Sequence, residues 1–184
     1  AEKSNSSAVI MGTHGVKGMQ KVFGSFAMKV IISTGVPFMV VQKETEIKEF
    51  NNICLSIDAT AESIQIIKIA GDLAKTYNAK IHIIAEKEKD VSKARKIKNN
   101  LHILSKKMKK IEVNYELELL ENKGEWIDTV INFAHQRKMD MFAYSYDSDR
   151  LLASKDKFSQ SLLFNSFNIP ALIINAKKIS STYF

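Results

Sequence analysis

"AVIMGTHGVKGMQKVFGSFAMKVIISTGVPFMVV" occupies residues 8–41, and within it the eight residues 11–18, "MGTHGVKG", hold three of the chain's seven glycines. An apolar run, residues 8–11, leads into this glycine turn. A stretch with helical periodicity, residues 19–34, leaves it, and the apolar "PFMVV" of residues 37–41 follows. A strand that delivers its carboxyl end into glycines and then opens a helix presents bare backbone N–H groups and the positive end of a helix dipole. Two readings fit. The glycines form a cradle for an anion, phosphate being the usual guest, with the Ser25 hydroxyl as a further donor, or they only shape a tight strand-to-helix turn. The spacing is neither a Walker A loop, since no Gly-Lys-Ser/Thr closes it, nor the Gly-x-Gly-x-x-Gly of dinucleotide sites.

Outward from this stretch, residues 52–176 alternate β-type and helical segments. "ICLSI", "KIHIIA", "VNYELELL", "DMFAYSY" and "PALIIN" read as strands, and residues 61–77, 90–110, 125–138 and 159–166 as the helices between them. Five strands with helical crossovers predict a doubly wound α/β unit with a five-stranded parallel sheet covered on both faces. Residues 1–42 offer only a strand, the glycine loop, a helix and a strand, followed by a charged connector at residues 43–51. An offset of 133 residues lays Pro37 on Pro170, "FMVV" on "ALII" and "AVIM" on "MFAY". The expected organisation is therefore a tandem repeat: the last third of a first copy at residues 1–42, a linker at 43–51, a complete second copy at 52–176 and a tail at 177–184. The chain starts at Ala1 rather than at methionine, as a fragment of a longer protein would.

Composition narrows the class. The chain has 184 residues, 45% of them hydrophobic, enough for one full domain and a core. No apolar run approaches the roughly 20 residues needed to cross a bilayer, and "AEKSNSS" has no signal-peptide character, so a cytoplasmic, membrane-free protein is expected. The single cysteine, Cys54, lies in an apolar run and reads as core. Net charge is +7, and residues 87–110 carry ten Lys or Arg. Yet Val91, Ala94, Ile97, Leu101, Leu104, Met108 and Ile111 recur at spacings of three and four, which makes the lysines the solvated face of an amphipathic helix. No aromatic residues interleave with them, so a nucleic-acid partner is disfavoured.

The segment at residues 8–41 resembles the C-terminal third of a universal stress protein domain. That family has Gly, two residues, Gly, about nine residues, then Gly-Ser or Gly-Thr after its fourth strand. Gly12, Gly15, Gly24 and Ser25 match, with a spacer of eight residues, 16–23. The resemblance extends over the whole chain as one third of a domain plus a complete domain. It implies a Rossmann-like sheet of order 3-2-1-4-5, ATP as ligand with Mg as its companion ion, and pairing through fifth strands. On that resemblance Gly12, Thr13, His14, Gly15, Gly24 and Ser25 are the cofactor-binding residues. Phe38 to Val41 is expected to pair antiparallel with Leu172 to Asn175, within one chain or between two, and an unidentified protein partner would read the signal.

The same offset places Ser145, Ser148, Lys157 and Phe158 where the first copy has Gly12, Gly15, Gly24 and Ser25. The glycines are gone from the second copy, and Asp147 and Asp149 bring negative charge toward the place of phosphates. The second copy is thus expected not to bind ATP. Asp58, which matches the family's acidic residue after the first strand, reads as a cap or structural acid. No histidine is paired with a nucleophile, and no hydrolase or metalloprotease motif is present, so no catalysis is expected beyond slow ATP hydrolysis. ATP binding is expected only once the strands that would precede residue 8 are supplied. The competing reading is an interaction scaffold that binds no nucleotide.

Overall fold

The computed structural model describes residues 7–13, 28–31, 33–46, 49–147 and 157–176. Seven strands appear among them: β1 (Val9–Thr13), β2 (Phe38–Gln42), β3 (Asn52–Ile57), β4 (Lys80–Glu86), β5 (Tyr115–Leu120), β6 (Met141–Tyr146) and β7 (Ala171–Asn175). The helices between them are α1 (Ile67–Tyr77), α2 (Val91–Ile111), α3 (Trp126–Gln136) and α4 (Lys157–Leu163), with a short 3-10 turn at Glu62–Ile64 before α1. Residues 28–31 and 33 are helical as well.

All seven strands join one sheet in the order β1-β2-β7-β6-β3-β4-β5. Neighbours from β7 to β5 are parallel, as are β1 and β2. The β2–β7 pair is antiparallel, with Phe38 opposite Ile173, Met39 opposite Leu172 and Val40 opposite Ala171. It follows that β1 and β2 run opposite to the other five strands. The pairing involves Ala171–Ile173 of β7 rather than reaching Asn175.

Position in the sheet explains the side-chain pattern of each strand. Strands β3, β4 and β7 are buried almost end to end, because helices cover both faces, whereas β5 at the far edge alternates half-buried with exposed residues. One core, under α1 and α2, holds Leu55, Ile67, Ile83, Met108 and Ala143. The other, on the opposite face, gathers Met28, Ile31, Phe38 and Val40 from the first block with Phe142, Leu162, Leu163 and Ile173 from the second. Cys54 is fully buried there, and burial pushes its thiol far above the ordinary range. The two blocks therefore share a hydrophobic core as well as a sheet. Their connector is fastened too: the Thr45 hydroxyl donates to the Asn168 carbonyl at 2.9 Å, and Gln42 Nε2 to the Asn165 carbonyl at 2.9 Å.

Three local expectations need correction. Strand β1 runs on through Gly12 and Thr13, which pair with Val41 and Gln42, instead of stopping at Met11. The helix expected at residues 61–77 is broken. Ser63 Oγ donates to the carbonyls of Thr60 (2.8 Å) and Asp58 (3.2 Å), and the tight turn these bonds fix gives way to α1 only at Ile67. Helix α2 is capped by Asp90, whose carboxylate accepts from the Lys93 N–H at 2.8 Å, but Val91 at the start of its apolar stripe is 82% exposed. Among the described residues no helix is long and apolar enough to cross a membrane.

Candidate functional site

In an open α/β sheet ligands gather where neighbouring strands send their crossovers to opposite faces, beyond the strands' carboxyl ends. Here that point lies between β3 and β6: β3 leads to α1 over one core, and β6 leads on to α4 over the other. Asp58 follows β3. Its Oδ1 accepts from the Thr60 backbone N–H at 2.8 Å and from the Thr60 hydroxyl, closing a local turn. Asn100 of α2, buried, donates its Nδ2 to the carbonyls of Thr60 (2.7 Å) and Asp58 (2.9 Å). The Asp58 carboxylate thus closes the turn after β3, and it is the Asp58 backbone carbonyl that is tied to α2. On the β6 side Ser145 is buried, and its Oγ has no hydrogen-bond partner among the described residues. Asp147 stands two residues further on, while Ser148 and Asp149 lie outside the described residues. Among the described residues no cluster of three His, Cys, Asp or Glu could hold a metal ion.

Of the six residues assigned to phosphate, the structure describes two. Gly12 and Thr13 are the last residues of β1, not the opening of a loop. The Thr13 side chain is buried, with its hydroxyl donating to the Val41 carbonyl at 3.3 Å. A Cβ built on Gly12 meets nothing within 4 Å, and its φ is not in the left-handed region. Neither packing among the described residues nor backbone conformation thus demands glycine at this position. His14, Gly15, Gly24 and Ser25 lie outside the described residues.

A polar cluster that the sequence did not disclose spans the amino-terminal ends of β3, β4 and β5. His82 is buried, with Nδ1 2.6 Å from Glu116 Oε1 and Nε2 2.9 Å from Asn52 Oδ1. Lys80 Nζ donates to the other Glu116 oxygen at 2.5 Å. Burial holds the imidazole below its ordinary range, outweighing the pull of Glu116 in the other direction. The hydrogen bond from Lys80 is the main cause holding Glu116 below the usual carboxylate range. A neutral His82 donates Nδ1–H to Glu116, and Nε2 is then satisfied when the Asn52 carboxamide turns its N–H toward the ring. Both ring nitrogens are engaged, which makes the group a cross-strand brace. The one sequence signal was period two: Lys80 and His82 on one face of β4, Glu116 and Glu118 on the same face of β5.

No protein-family profile matches the chain, and no curated protein matches it in sequence. Solved structures do match in fold. A universal stress protein from Archaeoglobus fulgidus superposes with a TM-score of 0.73 at 14% identity, covering 95% of this chain and 62% of that one. A universal stress protein in complex with cAMP gives 0.57 at 17% identity, over 70% of this chain and 99% of that one. The Archaeoglobus fulgidus universal stress protein in complex with dAMP gives 0.54 at 13% identity, over 71% and 100%. The chain has the α/β fold of universal stress protein structures, and it spans less than two thirds of the length of the first of them.

Proposed function

We propose that this chain is part of a cytoplasmic, tandem nucleotide-binding protein of the universal stress protein family, acting as a stress-response regulator by binding ATP rather than by turning it over. Residues 1–42 would be the end of a first copy that carries the phosphate loop, and residues 52–176 a second copy that has lost its own. The ligand-bearing residues in this reading are Gly12, Thr13, His14, Gly15, Gly24 and Ser25, with Mg accompanying the nucleotide. The likeness in fold to proteins solved with dAMP and cAMP supports a nucleotide as the ligand class. The observation that carries the reading is Gly12: glycine stands at the carboxyl end of β1 although a Cβ there meets nothing within 4 Å among the described residues, whereas the corresponding end of β6 has the buried Ser145. A strand end without a side chain in the first block and a buried serine at the matching place in the second is what one live and one lost phosphate site would leave. The antiparallel β2–β7 junction acts, in this reading, as the pseudo-dimer contact between the copies.

The His82–Glu116 pair, closed on itself by Asn52 and Lys80 with both ring nitrogens engaged, has no part in this reading. Calorimetry with Mg-ATP on this chain, and on a version extended before residue 1, tests the proposal. The short chain should bind weakly, because base and ribose need a cleft as well as a phosphate cradle. The extended chain should bind, and Gly15→Val should abolish it. Unchanged binding in that variant would refute the loop assignment. No binding by the extended chain would favour the scaffold reading instead.

A further inference from the structure

The 21 residues of helix α2, Val91–Ile111, carry eight Lys or Arg and no Asp or Glu. Solvated helices commonly interleave the two signs, because opposite charges at i and i+4 attract and like charges there repel by similar amounts. Here the spacings of three and four set like charges together: Lys93 with Lys96, Arg95 with Lys98, Lys106 with Lys109 and Lys110. All eight cations are exposed, and among the described residues only Lys93 has an ion-pair partner, Glu88 at 3.7 Å. Burial fixes which way the charge points. Ile97, Leu104 and Met108 hold the inner side of α2 to the sheet. Arg95, Lys98, His102, Lys106 and Lys109 succeed one another on the opposite side, a ridge about 21 Å long at about 1.5 Å per residue. Two apolar side chains share this outward side: Val91, one turn before Arg95, and Ile103, one turn before Lys106 and 41% exposed. A Cβ on Gly71 would stand 2.5 Å from Ile111 Cδ1, so α1 and α2 lie close side by side, in a layer from which neither projects. On α1 the exposed Lys68 and Lys75 outnumber Asp72 in the same line, which leaves the layer cationic.

We propose that the outer face of α2 docks, peripherally and without a span, on an anionic phospholipid surface, with the cation ridge against head-group phosphates and Val91 and Ile103 set between head groups. Charge complementarity calls for a polyanion, and the shape of the face together with its two apolar side chains chooses among polyanions. The major groove of a duplex admits a helix that stands out from its domain, whereas α2 is flush with α1. A phosphate backbone also offers nothing to an exposed valine and isoleucine. A bilayer interface is flat and takes up small apolar side chains beside basic ones. Eight cations on one helix are at the upper end of the roughly four to eight whose attraction holds a segment to anionic lipid. Because the apolar side of α2 stays in the core, the attraction is chiefly electrostatic and reversible. No residue of the glycine loop or of the β3–β6 switch point takes part, so the inference stands apart from nucleotide binding.

The test is co-sedimentation of the whole chain with vesicles of phosphatidylcholine alone and of equal parts phosphatidylcholine and phosphatidylglycerol, alongside duplex DNA and polyglutamate as competitors. The chain should partition onto the anionic vesicles, not onto the neutral ones, and less as salt rises. Each cation near an anionic leaflet is worth roughly fivefold in partition, so Arg95→Gln/Lys98→Gln/Lys106→Gln/Lys109→Gln should weaken binding by roughly a hundredfold or more. The control Lys29→Gln/Lys43→Gln/Lys123→Gln/Lys138→Gln loses as many charges away from this face and should weaken it by less than roughly tenfold. Glutamine suits a helix about as well as lysine does, so the ridge variant should melt no lower than the parent. Val91→Ser/Ile103→Ser should weaken vesicle binding by roughly tenfold without changing any binding of DNA. Absence of binding to the anionic vesicles, equal losses in the ridge and control variants, or release from vesicles by DNA or polyglutamate at equal anion concentration would overturn the proposal.

Discussion

Phe38 is the residue at which the junction between the two blocks can be tested. It opens β2, is 2% exposed, and is buried in a cluster with Met28 and Ile31 on one side and Phe142, Leu162 and Leu163 on the other. Truncating such a side chain to alanine costs about 3–5 kcal/mol, the sum of lost transfer free energy and an unfilled cavity. For a chain of this size each kcal/mol lowers the melting temperature by about 2–4 °C, so Phe38→Ala should melt about 6–20 °C lower. The reporter is built in. The only tryptophan, Trp126, lies on α3 within the second block and packs against this same cluster. If the blocks unfold as one cooperative unit, the Trp126 fluorescence transition and the far-UV circular dichroism transition shift together and stay coincident. Ile10→Ala is the control, because Ile10 belongs to the same first block but is 77% exposed and should shift neither signal by more than about 0.5 kcal/mol. A Trp126 transition that stays put in Phe38→Ala, while part of the dichroism is lost earlier, would refute a shared core.

Two further outcomes follow from the geometry. Gly12→Ala should leave stability unchanged or raise it by about 0.4–1 kcal/mol in urea titrations, since its Cβ meets nothing among the described residues and the unfolded chain loses freedom; a loss above about 1 kcal/mol would show that the fold itself requires this glycine. His82 should make the protein acid-sensitive. Burial lowers its folded pKa below the unfolded value of about 6.5, so the unfolded state takes up the proton first, and stability falls as pH drops from about 6.5 toward the folded pKa. The contribution of Glu116, also lowered on folding, is complete above about 4.5 and is lost only at still lower pH. Urea midpoints of His82→Gln should therefore be flatter between about pH 7 and 5.5 than those of the parent; parallel curves would exclude His82 as the source.

The elements were legible wherever one local pattern governed them. Continuous apolar runs such as "ICLSI" and "ALIIN" are what strands buried on both faces must look like, and the three-and-four spacing from Ile97 to Met108 sets the buried side of α2. What escaped reading depends on partners far along the chain. The break before α1 is fixed by Ser63 locally but also by Asn100, 40 residues on from Thr60, which reads as an ordinary polar position on a helix. The His82–Glu116 bond spans 34 residues and exists only in the register that sets β4 beside β5. The extension of β1 through Gly12 depends on β2 supplying Val41 and Gln42 as neighbours, against the general tendency of glycine to end strands. Of the candidate phosphate residues, the structure locates Gly12 and Thr13 at one strand end; the other four fall outside the described residues.

The contrast between the two strands that the 133-residue offset aligns bears on where function lies. Ala143 in β6 is 1% exposed beneath the α1 layer, while Ile10, its counterpart in β1, is 77% exposed. On the opposite face the two strands are treated alike: Val9 and Met11 pack against the shared core, as do Phe142 and Tyr144. The first block is thus finished on one face and open on the other, and the open face is the one that α1 and α2 cover in the second block. Among the described residues β1 has a single neighbour, β2, and no described strand lies along its outer edge. An apolar β-branched side chain beside a free strand edge invites a further strand with its own covering helix. Because β1 runs opposite to β6, that addition would build its switch point at the other edge of the sheet from Asp58 and Ser145. A ligand held at Gly12 would then sit far from the capped and tied-down end of β3, and substitutions at Asp58 or Asn100 should leave its affinity untouched.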